Sequence, residues 1–167
     1  MSIIDSILAE MDAELPATLR VLERVPENNL DWTPHPKSMS VGKLAWHIAA
    51  IPARVLMLLR QGEFDLTTAG PSEMPARVSD IAAGLRRHTD DLRAYFGTIT
   101  PETLKEPFTM RHGEKIVTTM PKMAVVRSIL LNHTYHHRGQ LAVYLRLLDI
   151  PVPVIYGRSA DENPFES

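Results

Sequence analysis

The chain has 167 residues, of which 44% are hydrophobic and 23% charged, and its formal net charge is -2. This size and composition predict one soluble domain over residues 1–167, and the weak net charge argues against nucleic acid as a partner. The chain has no cysteine, which excludes disulfides, thiolate ligands and a thiol nucleophile of its own. The N-terminus does not resemble a signal peptide and no apolar stretch suggests a membrane span, so we expect a cytoplasmic protein.

The first predicted helix covers residues 2–25, where apolar residues recur at the spacing of one helix face. Pro16 lies inside this pattern, and a proline removes one backbone hydrogen bond and usually kinks a helix. Because the apolar spacing continues past Pro16, we expect one bent helix. Residues 26–40 are rich in proline, asparagine and serine and predict a loop, in which Trp32 closes one end of the helical assembly.

The second predicted helix covers residues 41–61, with Ser40 as its N-cap and Gly62 as its stop. His47 lies at the edge of the apolar stripe of this helix, so its imidazole can face the core. Pro52 follows five residues later and predicts a bend at the same level. A simple kink and a role in shaping a site are both open interpretations.

Residues 63–75 predict a second irregular segment, because threonine, glycine and proline punctuate it. Ser79 then predicts the N-cap of a third helix over residues 80–96, which Gly97 ends. Residues 100–119 change to a strand-like pattern around a glycine. They predict a small hairpin, or else an extended excursion, before the last helix.

The last long helix is predicted over residues 122–148 and carries the most informative pattern. His133 and His137 lie four residues apart, so both project from the same face of a helix. That face also holds the core-facing apolar residues, and His136 lies at its edge as a weaker candidate. Neutral imidazoles suit zinc, nickel, copper or iron, so the pair is a candidate metal site. The alternative is a pair of hydrogen-bonded core histidines.

Four long helices with one apolar stripe each predict an all-α four-helix bundle with a small hairpin or excursion before the last helix. Bundles build metal sites from inward side chains on facing helices. His47 on the second helix, with His133 and His137 on the fourth, fits that scheme.

Two segments of the chain resemble the DinB-like superfamily of four-helix-bundle metalloproteins. Residues 39–48 read MSVGKLAWHI and residues 133–141 read HTYHHRGQL. The closing residues 151–161 also resemble the C-terminal tail of that family. The resemblance spans nearly the whole chain, and it implies a single DinB-like domain with an up-down-down-up order of helices and a homodimer. It also implies a divalent metal ion with three ligands: His47, His133 and His137.

The same resemblance implies a reaction class. Relatives include bacillithiol S-transferases, a mycothiol-dependent isomerase and proteins described as metal-dependent hydrolases. We therefore expect S-transfer to a small-molecule substrate, with nickel or zinc activating an external thiol. A hydrolase that uses metal-bound water and a non-catalytic, stress-related metal-binding bundle are the alternatives. No carboxylate lies on the inner stripe of either ligand helix, which favours S-transfer, although Glu63 or Asp161 could provide a base from a loop.

Three further residues of the last helix are candidates for contact with substrate or cofactor. Gln140 and Tyr144 share the stripe of His137 and could line the pocket as hydrogen-bond donors, with hydrogen-bonded filling of the bundle as the alternative. Arg138 lies on another face. It could bind a substrate carboxylate, but a salt bridge at the surface or at a dimer interface is the simpler expectation. The sequence pattern does not identify a catalytic residue.

Overall fold

The computed structural model describes residues 2–70 and 73–165, and its framework is a bundle of long helices. The first three are α1 (Ile3–Glu23), α2 (Val41–Gln61) and α3 (Val78–Phe96). The last consists of α4 (Lys122–Val125), a π-helical segment (Val126–Asn132) and α5 (His133–Leu147). Both α1 and α2 pack against α3 and α5. The consecutive helices α1 and α2 therefore lie across the bundle from each other.

A small sheet accompanies the bundle, so the fold is mostly helical and not purely all-α as predicted. Strand β1 (Glu63–Asp65) pairs in parallel with β2 (Pro107–His112), which pairs in antiparallel with β3 (Lys115–Pro121). The β2–β3 hairpin confirms the predicted excursion, and Gly113, at φ 61°, turns it. The segment predicted to be irregular contains β1 instead, because Asp65 accepts a hydrogen bond from the backbone N–H of Gly113 in the distant turn. Residues 71–72 of that segment lie outside the described residues.

Both ends of α2 agree with the prediction from local sequence. The Ser40 hydroxyl accepts a hydrogen bond from the backbone N–H of Lys43 at 3.3 Å. Gly62 ends the helix in the left-handed conformation, at φ 71°, where a residue with a Cβ would be strained. In α1, Pro16 lies inside one continuous helix, as expected.

The start of α3 differs from the prediction. The helix begins at Val78, so Ser79 lies inside its first turn and is not the N-cap. The backbone N–H of Val78 is instead capped by a carboxylate oxygen of Glu27, at 2.9 Å. Glu27 belongs to a short 3-10 turn (Glu27–Asn29) after α1. A distant part of the chain therefore satisfies this helix terminus.

The core has two clusters, and the histidines lie where they meet. Along α2, the residues up to Ala49 belong to the first cluster and those from Ile51 onward to the second. Trp32 packs against the first cluster and meets the ring of Tyr144 edge-on, with ring centroids 5.8 Å apart. This confirms that Trp32 closes one end of the bundle. Phe108 of β2 is fully buried in the second cluster and attaches the sheet to the bundle.

Helix α2 has the predicted length of 21 residues, but it is more apolar than expected from the sequence. Within the described chain, it is the one helix whose length and composition would allow a membrane span. However, 56% of its most apolar window is buried inside the bundle. A central helix of a bundle meets the same criteria, and α2 packs against both α3 and α5.

Candidate metal site

Three histidines from two facing helices converge between the two core clusters. His47 comes from α2, and His133 and His137 lie one turn apart on α5. The Nε2 atoms of His47 and His133 are 2.9 Å apart, and those of His133 and His137 are 3.2 Å apart. One ring nitrogen of each histidine lies within 4.8 Å of the other two. The structure thus brings together the three histidines that the sequence singled out.

The spacing of these nitrogens fits a shared metal ion. Bonds of about 2.0–2.1 Å at angles between octahedral and tetrahedral values place two ligand nitrogens about 2.8–3.4 Å apart. The observed Nε2–Nε2 distances of 2.9 and 3.2 Å lie within that range. Three imidazole nitrogens can hold one divalent ion and leave at least one coordination position for another ligand.

A cleft of about 530 Å³ opens beside His47 and His133. Met39, Trp46 and Met74 give it an apolar wall, and Lys43 and Arg54 give it positive charge. Neither cation was predicted from the sequence. Their spacing from His47, four residues before and seven after, could have placed them on the same side of α2. The cleft makes the histidine cluster accessible to a small molecule.

The family assignment rests on a match that spans most of the chain. The sequence model of the DinB superfamily matches residues 10–141, which include all three histidines. The chain belongs to the DinB superfamily. It is 26% identical over 163 residues to the uncharacterized protein YrdA of Bacillus subtilis, and the alignment covers 95% of this chain and 91% of that protein.

Two solved structures show the same fold. The DinB-like protein YjoA of Bacillus subtilis has a TM-score of 0.70 at 19% identity, over 92% of this chain and 99% of that one. A DinB-like protein of Bacillus cereus has a TM-score of 0.70 at 24% identity, over 91% of this chain and 97% of that one. The arrangement of helices and sheet is therefore that of DinB-like proteins.

In this DinB-superfamily chain, Gln140 and Tyr144 lie behind the histidines. Gln140 Oε1 is 2.9 Å from Nδ1 of His137, and its amide nitrogen donates to the Tyr144 hydroxyl at 3.3 Å. An amide oxygen only accepts, so the contact requires the proton on Nδ1 of His137. The Nε2 lone pair of a neutral His137 then faces the other histidines. Neither residue is among the described residues that line the cleft, and together they form a hydrogen-bonded chain behind His137.

Arg138 is buried inside the chain, with 1% of its side chain exposed, and forms an ion pair with Glu14 of α1 at 2.7 Å. It also donates to the hydroxyl of Thr18 at 3.1 Å and to the hydroxyl of Tyr156. The predicted surface or interface salt bridge is therefore wrong, and the guanidinium is unavailable to a substrate carboxylate. Tyr156 of the C-terminal tail contacts both members of this pair, because its hydroxyl also donates to a carboxylate oxygen of Glu14 at 2.9 Å.

The other sequence candidates lie outside the histidine cluster. His136 is exposed, and its ring nitrogens do not belong to the cluster. Asp161 forms an ion pair with Arg146, and Glu63 forms one with Arg111 at 3.6 Å. Neither carboxylate lines the described part of the cleft, so neither is placed to act as a base there.

The electrostatics of the site favour neutral imidazoles. Burial, followed by the positive fields of His137, His133 and Arg54, lowers the pKa of His47 to about 4. Burial is also the main cause that lowers the pKa of His133 and that of His137. Near neutral pH the three rings are therefore unprotonated, which is the state that binds a metal ion.

Proposed function

We propose that this DinB-superfamily protein binds one divalent metal ion, nickel or zinc, through His47, His133 and His137, and acts as an enzyme on a small molecule. The observation that supports this is the convergence of three Nε2 atoms beside an open cleft. A structural metal site is usually closed by four protein ligands, whereas a catalytic site keeps a position free. When bound, the ion supplies a Lewis acid that lowers the pKa of a thiol or a water molecule.

The proposed reaction is S-transfer from an external thiol. The chain has no cysteine, so the sulfur nucleophile belongs to a small cofactor. The thiol loses its proton to solvent, the sulfur forms a bond to an electrophilic carbon, and the leaving group takes the electron pair of the broken bond. No carboxylate base lies among the described residues of the cleft, which argues against hydrolysis.

Different residues of the chain would bind the ion, orient His137 and contact the electrophile. The three histidines hold the ion, and Gln140 fixes the proton and the orientation of His137. Met39, Trp46 and Met74 offer an apolar wall that keeps water away from the organic body of the electrophile.

We further propose a single DinB-like domain over residues 1–167 that works as a homodimer in the cytoplasm. Val143 and Leu147 support the dimer, because they lie four residues apart on α5 and are 58% and 57% exposed. A second copy of the chain would cover this apolar pair. Sedimentation of the purified protein as a monomer at micromolar concentration would rule out the dimer.

The first test is metal content of protein purified without added metal or a histidine tag. Elemental analysis should find about one equivalent of a divalent ion in the native protein and little in His133→Ala. His112→Ala is the matched control, because His112 is exposed in the hairpin and lies outside the histidine cluster. No metal in the native protein, and no uptake on titration with nickel or zinc, would contradict the proposal.

The reaction is tested by incubating the metal-loaded protein with low-molecular-weight thiols and alkylating electrophiles. Conjugation that stops when a chelator removes the metal supports S-transfer. Ester or amide cleavage without any thiol would instead support a hydrolase. Bound metal without turnover in either assay would leave a non-catalytic metal-binding bundle.

A further inference from the structure

The cleft beside the histidines carries two positive side chains and, among the residues that the structure describes there, no negative one. Lys43 and Arg54 lie on α2, four residues before His47 and seven after it. At helical spacing all three project to the same side. Along the helix axis the two cations stand about 6 and 10 Å from the level of His47, one on either side.

Among the described residues, no carboxylate neutralises either charge. In the described residues, no carboxylate oxygen lies within 4.0 Å of the amino group of Lys43 or the guanidinium of Arg54. By contrast, eight other arginines form ion pairs with carboxylates of the chain. The two cations therefore remain available to a ligand in the cleft.

Arg54 is also held in place. Its guanidinium carbon lies 5.7 Å from the centre of the Phe64 ring, in a cation–π contact. This contact engages no hydrogen-bond acceptor, so the N–H groups of Arg54 can still donate to a ligand. A guanidinium presents two parallel N–H donors to a carboxylate or phosphate, which makes Arg54 well suited to an anion.

A metal ion at the candidate site would add to the positive charge of the cleft. Three neutral imidazoles contribute no negative charge, so a divalent ion held by them would keep its own positive charge. A concave site with charge of one sign and apolar walls attracts ligands of the opposite sign. Met39, Trp46 and Met74 would contact the organic part of such a ligand.

We propose that the cleft binds a small organic anion, a carboxylate or a phosphate, and that Lys43 and Arg54 recognise its charge. This deepens the proposed function, on which it rests for the role of the anion as substrate or thiol cofactor. The charge recognition itself uses only side chains of the chain and does not require the metal.

The test is isothermal titration calorimetry with succinate, inorganic phosphate and the neutral diamide succinamide. Each is titrated into metal-free and metal-loaded protein. We expect at least one anion to bind and succinamide not to bind. Arg54→Gln and Lys43→Gln should each weaken anion binding at least tenfold, and Arg54→Lys should weaken it less than Arg54→Gln. Tighter binding of phosphate or of succinate identifies which anion chemistry the cleft prefers.

Arg60→Gln is the matched control. Arg60 lies on the same helix, is exposed and stacks on the ring of Tyr95 at 5.7 Å, but it does not line the cleft. This variant should bind the anion within twofold of the native protein. Circular dichroism should show the same helical signal in all variants, because the three side chains are exposed.

Several results would overturn the proposal: no anion binding in either form of the protein, equal binding of succinamide and succinate, or an equal loss in Arg60→Gln. Metal content is measured on the same samples. Anion binding that depends on Arg54, in a protein that takes up no metal on titration, supports this inference and contradicts the proposed metal site. A protein that binds metal but no anion supports the proposed metal site and contradicts this inference.

Discussion

Gln140 accepts a hydrogen bond from His137, with 2.9 Å between Oε1 and Nδ1. Such a contact fixes which ring nitrogen carries the proton and directs the other toward His133 and His47. Partners that orient ligand histidines in this way typically contribute a factor of about 10–100 to metal affinity. We therefore expect Gln140→Leu to bind the metal about 10–100-fold more weakly, as measured by competition with a chromophoric chelator.

The control for this prediction is Gln61→Leu, at the exposed end of α2. It should retain the native affinity. If Gln140→Leu also retained it, the hydrogen bond would have no part in metal binding.

The buried ion pair between Arg138 and Glu14 predicts a large loss of stability on mutation. Arg138→Met removes the positive charge and leaves Glu14, with 20% of its side chain exposed, without its cation. Breaking a buried pair in this way costs about 3–5 kcal/mol, and the partial exposure of Glu14 places the expected loss near the lower end, about 3 kcal/mol. Urea denaturation followed by circular dichroism measures it.

Arg127→Met is the matched control for the ion pair. Arg127 pairs with Glu10 at 3.1 Å, but the side chains are 50% and 33% exposed. Exposed pairs contribute at most about 1 kcal/mol. Equal losses in the two variants would show that burial of Arg138 has no energetic consequence.

The histidines predict how stability depends on pH in the metal-free protein. The pKa of His47 is about 4 in the folded state, below its ordinary value of 6.5. Between these values the unfolded chain binds a proton that the folded chain does not, so unfolding free energy falls as pH falls from about 6.5 to about 4. The lowered pKa values of His133 and His137 act in the same direction.

His47→Gln should therefore reduce the slope of unfolding free energy against pH in this window, as measured by urea denaturation at a series of pH values. His112→Gln, an exposed histidine in the hairpin, should leave the slope as in the native protein. An unchanged slope in His47→Gln would contradict the pKa shift.

The cap of α3 gives a further prediction. Glu27 accepts a hydrogen bond from the backbone N–H of Val78 at 2.9 Å. Loss of an N-terminal cap costs about 1 kcal/mol, so Glu27→Ala should lower unfolding free energy by about that amount. Ser79→Ala should cost clearly less, because Ser79 lies inside the helix. Urea denaturation measures both losses. A larger loss of unfolding free energy in Ser79→Ala than in Glu27→Ala would show that Ser79 is the cap.

Local signals in the sequence were sufficient to predict part of this structure. Ser40 and Gly62 determine both ends of α2 through contacts within four residues, and the sequence predicted both. The spacing of His133 and His137 likewise follows from one turn of helix. The inward position of His47 was predictable because the apolar stripe of α2 is long and regular.

Contacts between distant parts of the chain account for what the sequence did not predict. Glu27 caps a helix 51 residues away, and β1 forms by pairing with the hairpin. Arg138 is buried and contacts Tyr156 and Glu14, which come from opposite ends of the chain. In the sequence, Lys43 and Arg54 resemble ordinary exposed charges, and the structure shows that they line the cleft. The contacts of Glu27, β1 and Arg138 leave no periodic pattern in the sequence, whereas the helical spacing of Lys43, His47 and Arg54 does.

The π-helical segment Val126–Asn132, just before His133, has a consequence for how this chain can change in length. Such a segment amounts to a one-residue insertion in an α-helix. The wider π turn takes up the extra residue, so deleting one residue there would restore regular winding and leave His133 and His137 in nearly the same direction relative to α4. A deletion elsewhere in the helix would rotate both histidines by about 100° relative to α4. Among descendants of this sequence we therefore expect a one-residue change in length of this helix to fall within the π-helical segment.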